Sequence, residues 1–289
     1  ISAVKGFSRR MLVERITAIH RYFTAAGIRM SESLHDLSNL DEIVDYVIGA
    51  YMEDRIVEEL RVEGSKKKEV VKDFYLLRED NRARIVFYKN SIIHYLAPLS
   101  MAAVAVLVSR KNGDTGYTAI REACRGIERL FSNEFVLPSP EEDDGLPFRR
   151  EVFEHLRAEK IISVDNDTIT ADETGADVLK YHAKIIQEYF ESYLIVLHTV
   201  LNQRVRKMGR KDFIADVRRA GVRLYHTGEA RLSESLSMPN YENAVHRLVD
   251  DGILVQRGAG QKNAEISTVD KDRALELFSF IKACLEVIA

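Results

Sequence analysis

Eight histidines and two cysteines are among the side chains through which this chain could do proton-transfer, nucleophilic or metal chemistry. Their spacing is sparse. No histidine lies within five residues of another, so the H-x-x-x-H pattern that sets two imidazoles on one helix face is absent and no metal site is expected. Cys124 and Cys284 form no C-x-x-C pair, which gives neither a disulfide framework nor a thiolate cluster and points to a reducing compartment. "HRLVDD" puts His246 five residues before Asp251, a spacing in which an imidazole can act as general base on a hydroxyl while a carboxylate orients it. Asp251 also ends a helix packed through Val245 and Leu248, and the match is read as accidental. "GAGQK", 258–262, has phosphate-loop residues but lacks the G-x-x-x-x-G-K-[ST] frame and joins two short strands; it is read as a turn.

The elements that must carry these residues repeat. "YMEDRIVEE" (51–59), "LRAEKIISV" (156–164) and "LVDDGILVQ" (248–256) each pass from a helix end, through an acid, into branched aliphatic residues. Upstream, Val44, Val47, Ile48 and Tyr51, then Val152, Phe153 and Leu156, then Tyr241, Ala244, Val245 and Leu248 keep helical spacing. Downstream come hairpin signals, with turns at Asp165, Asn166 and Asp167 in the second copy and at Gly258 and Gly260 in the third. The first copy has a longer version, in which "DFYLLRED" and "ARIVFYK" flank a turn at Asn81 and "VEGSKKK" (62–68) lies in the wing. Gly252 fits a helix stop with positive φ, and Arg55 and Lys160 hold that place in the other two copies. "SESL" occurs at Ser31–Leu34 and at Ser233–Leu236, each ahead of its junction helix. The expectation is a mainly α protein with short β-hairpins (α+β), made of three tandem winged-helix-like units: 1–112 with a long apolar helix, 113–208 and 209–289. "VLPSPEEDDGLPF", 136–148, with three of the five prolines and four consecutive acids, is expected to be an exposed loop.

A net charge of −3, from 42 Lys and Arg against 45 Asp and Glu, gives no global attraction to nucleic acid or anionic lipid. With 46% hydrophobic residues the chain can bury a sizeable core. The first residues lack a long uncharged stretch and begin at Ile1, so the chain is expected to be part of a longer polypeptide. "FYKNSIIHYLAPLSMAAVAVLVS", 87–109, carries no charge between Lys89 and Arg110. Its uninterrupted part, Ile92 to Val108, is short of the ~20 apolar residues that cross a bilayer and is expected to be a core helix, divided in direction at Pro98. "IIQEYFESYLIVLHTVL", 185–201, carries Glu188 and Glu191 and is expected to pack inside the protein.

"FYKNSIIHYLAPLSMAAV" resembles a segment of the bacterial membrane-associated glycerol-3-phosphate acyltransferases, in whose C-terminal region Tyr-Arg-Asn-Asn is followed by apolar residues, a histidine and an apolar stretch with proline. Tyr88, Asn90 and His94 match; Lys89 and Ser91 replace the arginine and the second asparagine. The resemblance implies the C-terminal region of an enzyme that transfers an acyl group from acyl-CoA or acyl carrier protein to glycerol 3-phosphate, the first step of phospholipid synthesis. The family's catalytic blocks are not placed here, so no catalytic residue is assigned, no cofactor is implied, and the chain alone is expected to be inactive. It further implies as partners the acyltransferase domain of the parent chain, an acyl donor met through that domain, and a cytoplasmic location at the inner face of the cell membrane. His94, buried with Tyr88 and Asn90, is expected to tie the long helix to the hairpin. Lys5, Arg9, Arg10 and Arg15, around a stripe of Leu12, Ile16, Ile19 and Phe23, are candidates for docking on anionic lipid or on the other domain.

Two other functions fit winged helices. A DNA-binding regulator would use Asn240, Asn243, His246 and Arg247 in the major groove with Arg257 and Lys262 on the wing, a thin basic set beside Glu242, Asp250 and Asp251. No nucleic-acid partner is expected from it. A protein-interaction scaffold would use its apolar faces instead.

Overall fold

The computed structural model describes residues 6–63, 68–137, 147–202, 207–258 and 264–289. The elements are β1 (Gly6–Ser8), α1 (Arg9–Ala25), α2 (Leu40–Glu53), β2 (Val57–Glu63), β3 (Lys68–Leu77), α3 (Arg82–Asn112), α4 (Tyr117–Leu130), α5 (Pro147–Ala158), β4 (Ser163–Asp165), β5 (Thr168–Thr170), α6 (Glu173–Ala183), α7 (Gln187–Asn202), β6 (Lys207–Gly209), α8 (Arg210–Thr227), α9 (Met238–Asp250), β7 (Leu254–Arg257), β8 (Glu265–Thr268) and α10 (Lys271–Ile288). The protein is therefore mainly α with short antiparallel β elements. It gathers into two compact units, one of Ile1–Tyr95 with Arg150–His155, the other of Leu96–Arg149 with Leu156–Ala289.

Helix, hairpin, helix recurs three times among the described residues, as α2-β2-β3-α3, α5-β4-β5-α6 and α9-β7-β8-α10. The helix stops are the same device. Arg55, Lys160 and Gly252 all have left-handed backbone, with φ of 56°, 58° and 70°. In each case that residue's N–H donates to the carbonyl three residues back, and the next N–H reaches five back: Ile56 to Tyr51 at 2.8 Å, Ile161 to Leu156 at 2.9 Å, Ile253 to Leu248 at 2.9 Å. These paired bonds satisfy carbonyls that a helix end otherwise leaves open. A side chain in this conformation meets its own backbone, at roughly 1 kcal/mol or more. Lys160→Gly is accordingly expected to raise stability by about 0.5 to 1 kcal/mol, after the extra chain entropy of glycine is subtracted. A lower urea midpoint for that variant would contradict this.

Both SESL stretches form a single 3-10 turn, Glu32–Leu34 before α2 and Ser233–Leu236 before α9. The first and third hairpins each gain a third strand, in the orders β1-β3-β2 and β6-β8-β7. Among the described residues the second hairpin has only an isolated bridge, Gly116 to Thr168, in the same place. The three-residue strands β1 and β6 leave no mark in the sequence.

One expectation is corrected. The first hairpin is β2-β3, one strand earlier than a turn at Asn81 would place it, and "ARIVFYK" is the start of α3. Its run of β-branched and aromatic residues favours a strand locally, but Ile85 and Ile93 lie buried at helical spacing and tertiary packing decides. "VEGSKKK" does span the hairpin connection, of which 64–67 lie outside the described residues, as do 138–146 of the expected 136–148 loop.

In the first unit Phe7, Ile56, Val57, Leu77 and Ile85 form one cluster and Leu40, Val44 and Ile48 another, with Leu12 of α1 packed against both. The second unit is built around α7, of which 13 residues are buried, Glu188 and Glu191 included, against α8, α9 and α10. The helix α3 runs unbroken through Pro98, and the boundary between the units falls at Tyr95 and Leu96. By length and composition α3 could cross a membrane, yet 78% of its apolar window is buried inside the protein, as in a core helix.

Candidate functional site

The N-terminal half of α3 carries the residues singled out by the motif. Tyr88 is 57% exposed, and Phe87, Ile92 and Tyr95 are exposed with it. Asn90 is exposed, while His94 is half-buried, its ring 4.0 Å from that of Tyr95. The expectation that His94 is buried with Tyr88 and Asn90 is corrected by these exposures, and among the described residues His94 makes no hydrogen bond that ties α3 to the hairpin. At 100° per residue Tyr88 and His94 lie on different faces, and only Asn90 shares a face with His94. Pro98, one turn on, cannot donate to the His94 carbonyl. The structure thus sets these residues on one exposed, aromatic-rich length of helix rather than in one pocket.

The basic residues of α1 are divided. Arg9 reaches Asp45 at 2.6 Å and Asp41 at 2.8 Å on α2, and its hydrogen bonds hold the Asp45 carboxyl below the usual range. Arg10 pairs along the helix with Glu14 at 2.8 Å and is 88% exposed. Arg15 has a partner as well. Lys5 lies outside the described residues. Leu12 and Ile16 of the apolar stripe pack on Leu40, Val44 and Ile48, so that face is used within the first unit.

On α9 the His246 and Asp251 spacing does not make a dyad. Asp251 accepts two bonds from Arg247, at 2.7 and 2.9 Å, and two from Arg129, from Nε at 3.1 Å and Nη2 at 2.5 Å. Burial would raise its pKa, but the two guanidiniums hold it below the ordinary carboxylate range. His246 is exposed, and five residues on a helix turn it well away from Asp251. Three of the residues a DNA reader would need are also committed elsewhere. Asn240 is 8% exposed and donates to Ser192, Asn243 donates to Glu134 at 2.9 Å, and Arg247 donates to Ser132 at 3.0 Å. Lys262 lies outside the described residues.

Residues 2–257 match the family described as the glycerol-3-phosphate acyltransferase C-terminal region. The chain belongs to that family. No individual curated protein matches it at a significant level. Membership of the glycerol-3-phosphate acyltransferase C-terminal family bears out the resemblance carried by Tyr88, Asn90 and His94. The match runs to the end of β7, and β8 and α10 lie beyond it. Among the described residues no three His, Cys, Asp or Glu side chains are grouped as metal ligands would be.

What the sequence did not disclose in this family member is a buried polar layer in the second unit. Glu134, just after α4, has its carboxyl pushed up to about 7 by burial; Asn243 and Tyr193 oppose the shift and the carboxylate of Glu188 reinforces it. Its Oε1 is buried without an aligned donor. The sign follows from linkage. Between the unfolded value of about 4.3 and about 7, the unfolded chain is ionised while the folded one keeps its proton, so stability falls as pH rises through that window. Glu134→Gln is expected to raise stability by about 2 kcal/mol at about pH 8 and to be neutral at about pH 4. Urea melts at the two pH values check this; an equal effect at both would show that the titration of Glu134 is not the cause.

Proposed function

We propose that this chain is the non-catalytic C-terminal region of a glycerol-3-phosphate 1-O-acyltransferase, built of winged-helix-like units spanning 1–112, 113–208 and 209–289, and that it docks against the acyltransferase domain of the parent chain. Acyl-CoA or acyl carrier protein meets that domain, and the assembly works at the cytoplasmic face of the cell membrane. The observation that carries the docking role is the exposed stripe of Phe87, Tyr88, Ile92 and Tyr95 on a helix whose following residues are buried. Aromatic side chains left in water around a polar residue such as Asn90 are the composition of an interface core with its rim. The strand orders β1-β3-β2 and β6-β8-β7, each behind a helix pair, support the winged-helix reading. Arg10, an exposed cation of α1, is the residue we assign to anionic lipid.

The test is an assay of the 289-residue chain and of its parent with glycerol 3-phosphate and an acyl-CoA. Turnover is expected only in the parent. Phe87→Ser with Tyr88→Ala is expected to lower parent activity about tenfold, the loss of one good anchor, while leaving the melting of the isolated chain in place. Turnover by the isolated chain that vanishes in His246→Ala would overturn the non-catalytic reading.

A further inference from the structure

We propose that the first unit holds a site for a phosphate group, in a cleft of about 520 Å³ where the end of α2 meets the outer strand β2. Three guanidiniums, of Arg55, Arg61 and Arg78, line this cleft with Glu58 and Glu59. Its volume is within the range of small-molecule sites. Among the lining residues three arginines stand against two acids, Asp80 lies 4.0 Å from Arg78 outside the lining, and these acids hold the arginines loosely. Arg61 is 3.7 Å from Glu59 and Arg78 is 3.8 Å from Glu58, longer than the ~2.8 Å of a charge-assisted hydrogen bond. Exposed pairs of this kind are weak, so the guanidiniums can turn to a ligand at little cost. The side chain of Arg55 makes no hydrogen bond or ion pair among the described residues.

Arg55 supplies a second, independent observation. It stands at the left-handed helix stop, where the third junction has glycine and makes the same pair of backbone bonds. Asn81 Nδ2 donates to the Arg55 carbonyl at 2.9 Å and fixes the backbone there. The stop does not need an arginine, since Lys160 and Gly252 make the same backbone bonds, so the local fold leaves the Arg55 guanidinium available to the cleft. Three planar forks around one cleft suit the three terminal oxygens of a phosphate monoester better than the two coplanar oxygens of a carboxylate. Two sources share this chemistry, a soluble phosphate monoester and the headgroup of phosphatidic acid.

The site stands independently of the docking proposal, and its test uses binding alone. The 289-residue chain is titrated with inorganic phosphate and glycerol 3-phosphate by calorimetry, and is sedimented with vesicles of phosphatidylcholine alone or doped with phosphatidic acid. Saturable binding of the soluble anions assigns the first source; binding only to the doped vesicles assigns the second. In either arm Arg55→Gly is expected to weaken binding by about tenfold, the loss of one charge-assisted contact, and Arg78→Gln to do the same. Arg55→Gly keeps the backbone that Gly252 adopts, so its melting midpoint should not fall. Lys160→Gly removes a cation from the equivalent stop, on a hairpin that offers no arginine, and should bind as the parent sequence does. Binding in neither arm, or equal weakening by Arg55→Gly and Lys160→Gly, would overturn the proposal.

Discussion

Replacing Glu191 by Leu is expected to cost the second unit roughly 3 to 5 kcal/mol, the sum for buried donors deprived of a charged acceptor. Glu191 is 1% exposed, on the most buried helix of the unit. Its Oε2 accepts the backbone N–H groups of Arg231 at 3.1 Å and Leu232 at 3.0 Å, and its Oε1 accepts Gln187 Nε2 at 2.7 Å. Burial keeps its pKa above the ordinary glutamate level even so, with the backbone N–H of Leu232 and the Gln187 amide among the groups opposing it. The carboxylate thus fixes the segment that enters the 3-10 turn at Ser233, which in turn sets the start of α9. Leucine fills the volume but leaves those donors with nothing to bond. Glu191→Gln keeps an acceptor oxygen and should lose less, about 1 to 2 kcal/mol. Urea unfolding gives the magnitude, and amide exchange at Arg231 and Leu232 gives the place. A loss under about 1 kcal/mol with unchanged exchange at those amides would refute the assignment.

Gly175→Ala is expected to cost about 3 kcal/mol, the upper end of what an added methyl does in a closed site. A Cβ at Gly175 would overlap the Ile161 carbonyl oxygen and lie 3.1 Å from its carbon. Those are backbone atoms just past a helix stop, so they cannot swing aside as a side-chain end would. The same glycine donates its N–H to the N-cap Asp172 at 2.7 Å, which pins it from the other side. Gly126 is the contrasting case. It is exposed inside α4, and its added Cβ would meet only Phe280, at 3.9 Å. Gly126→Ala should therefore stabilise by about 0.5 to 1 kcal/mol through the helix preference of alanine. The pair can be compared by thermal melting. Opposite signs are expected, and a neutral Gly175→Ala would mean that α6 can slide off the Ile161 carbonyl.

The sequence by itself determined the devices whose energy is local. A helix stop needs only a residue that reaches positive φ and a branched aliphatic after it, so Arg55, Lys160 and Gly252 could be aligned from three short strings. The repeated SESL marked the same place ahead of two junction helices, and the uncharged run after Lys89 foretold a buried helix. The same strings carried the family resemblance. Tertiary structure decided whatever depends on a distant partner. Strands of three residues, β1 and β6, exist only because β3 and β8 offer them an edge. "ARIVFYK" has the composition of a strand and becomes helix because Ile85 and Ile93 find a core at helical spacing. Whether Tyr88 and His94 meet was settled by one unbroken helix that turns them to different faces. The acids of α7 divide the two most plainly. The apolar stripe was enough to place the helix inside, but what makes burial of Glu191 tolerable is decided at a distance, by two N–H groups some 40 residues on that supply the hydrogen bonds water would have made.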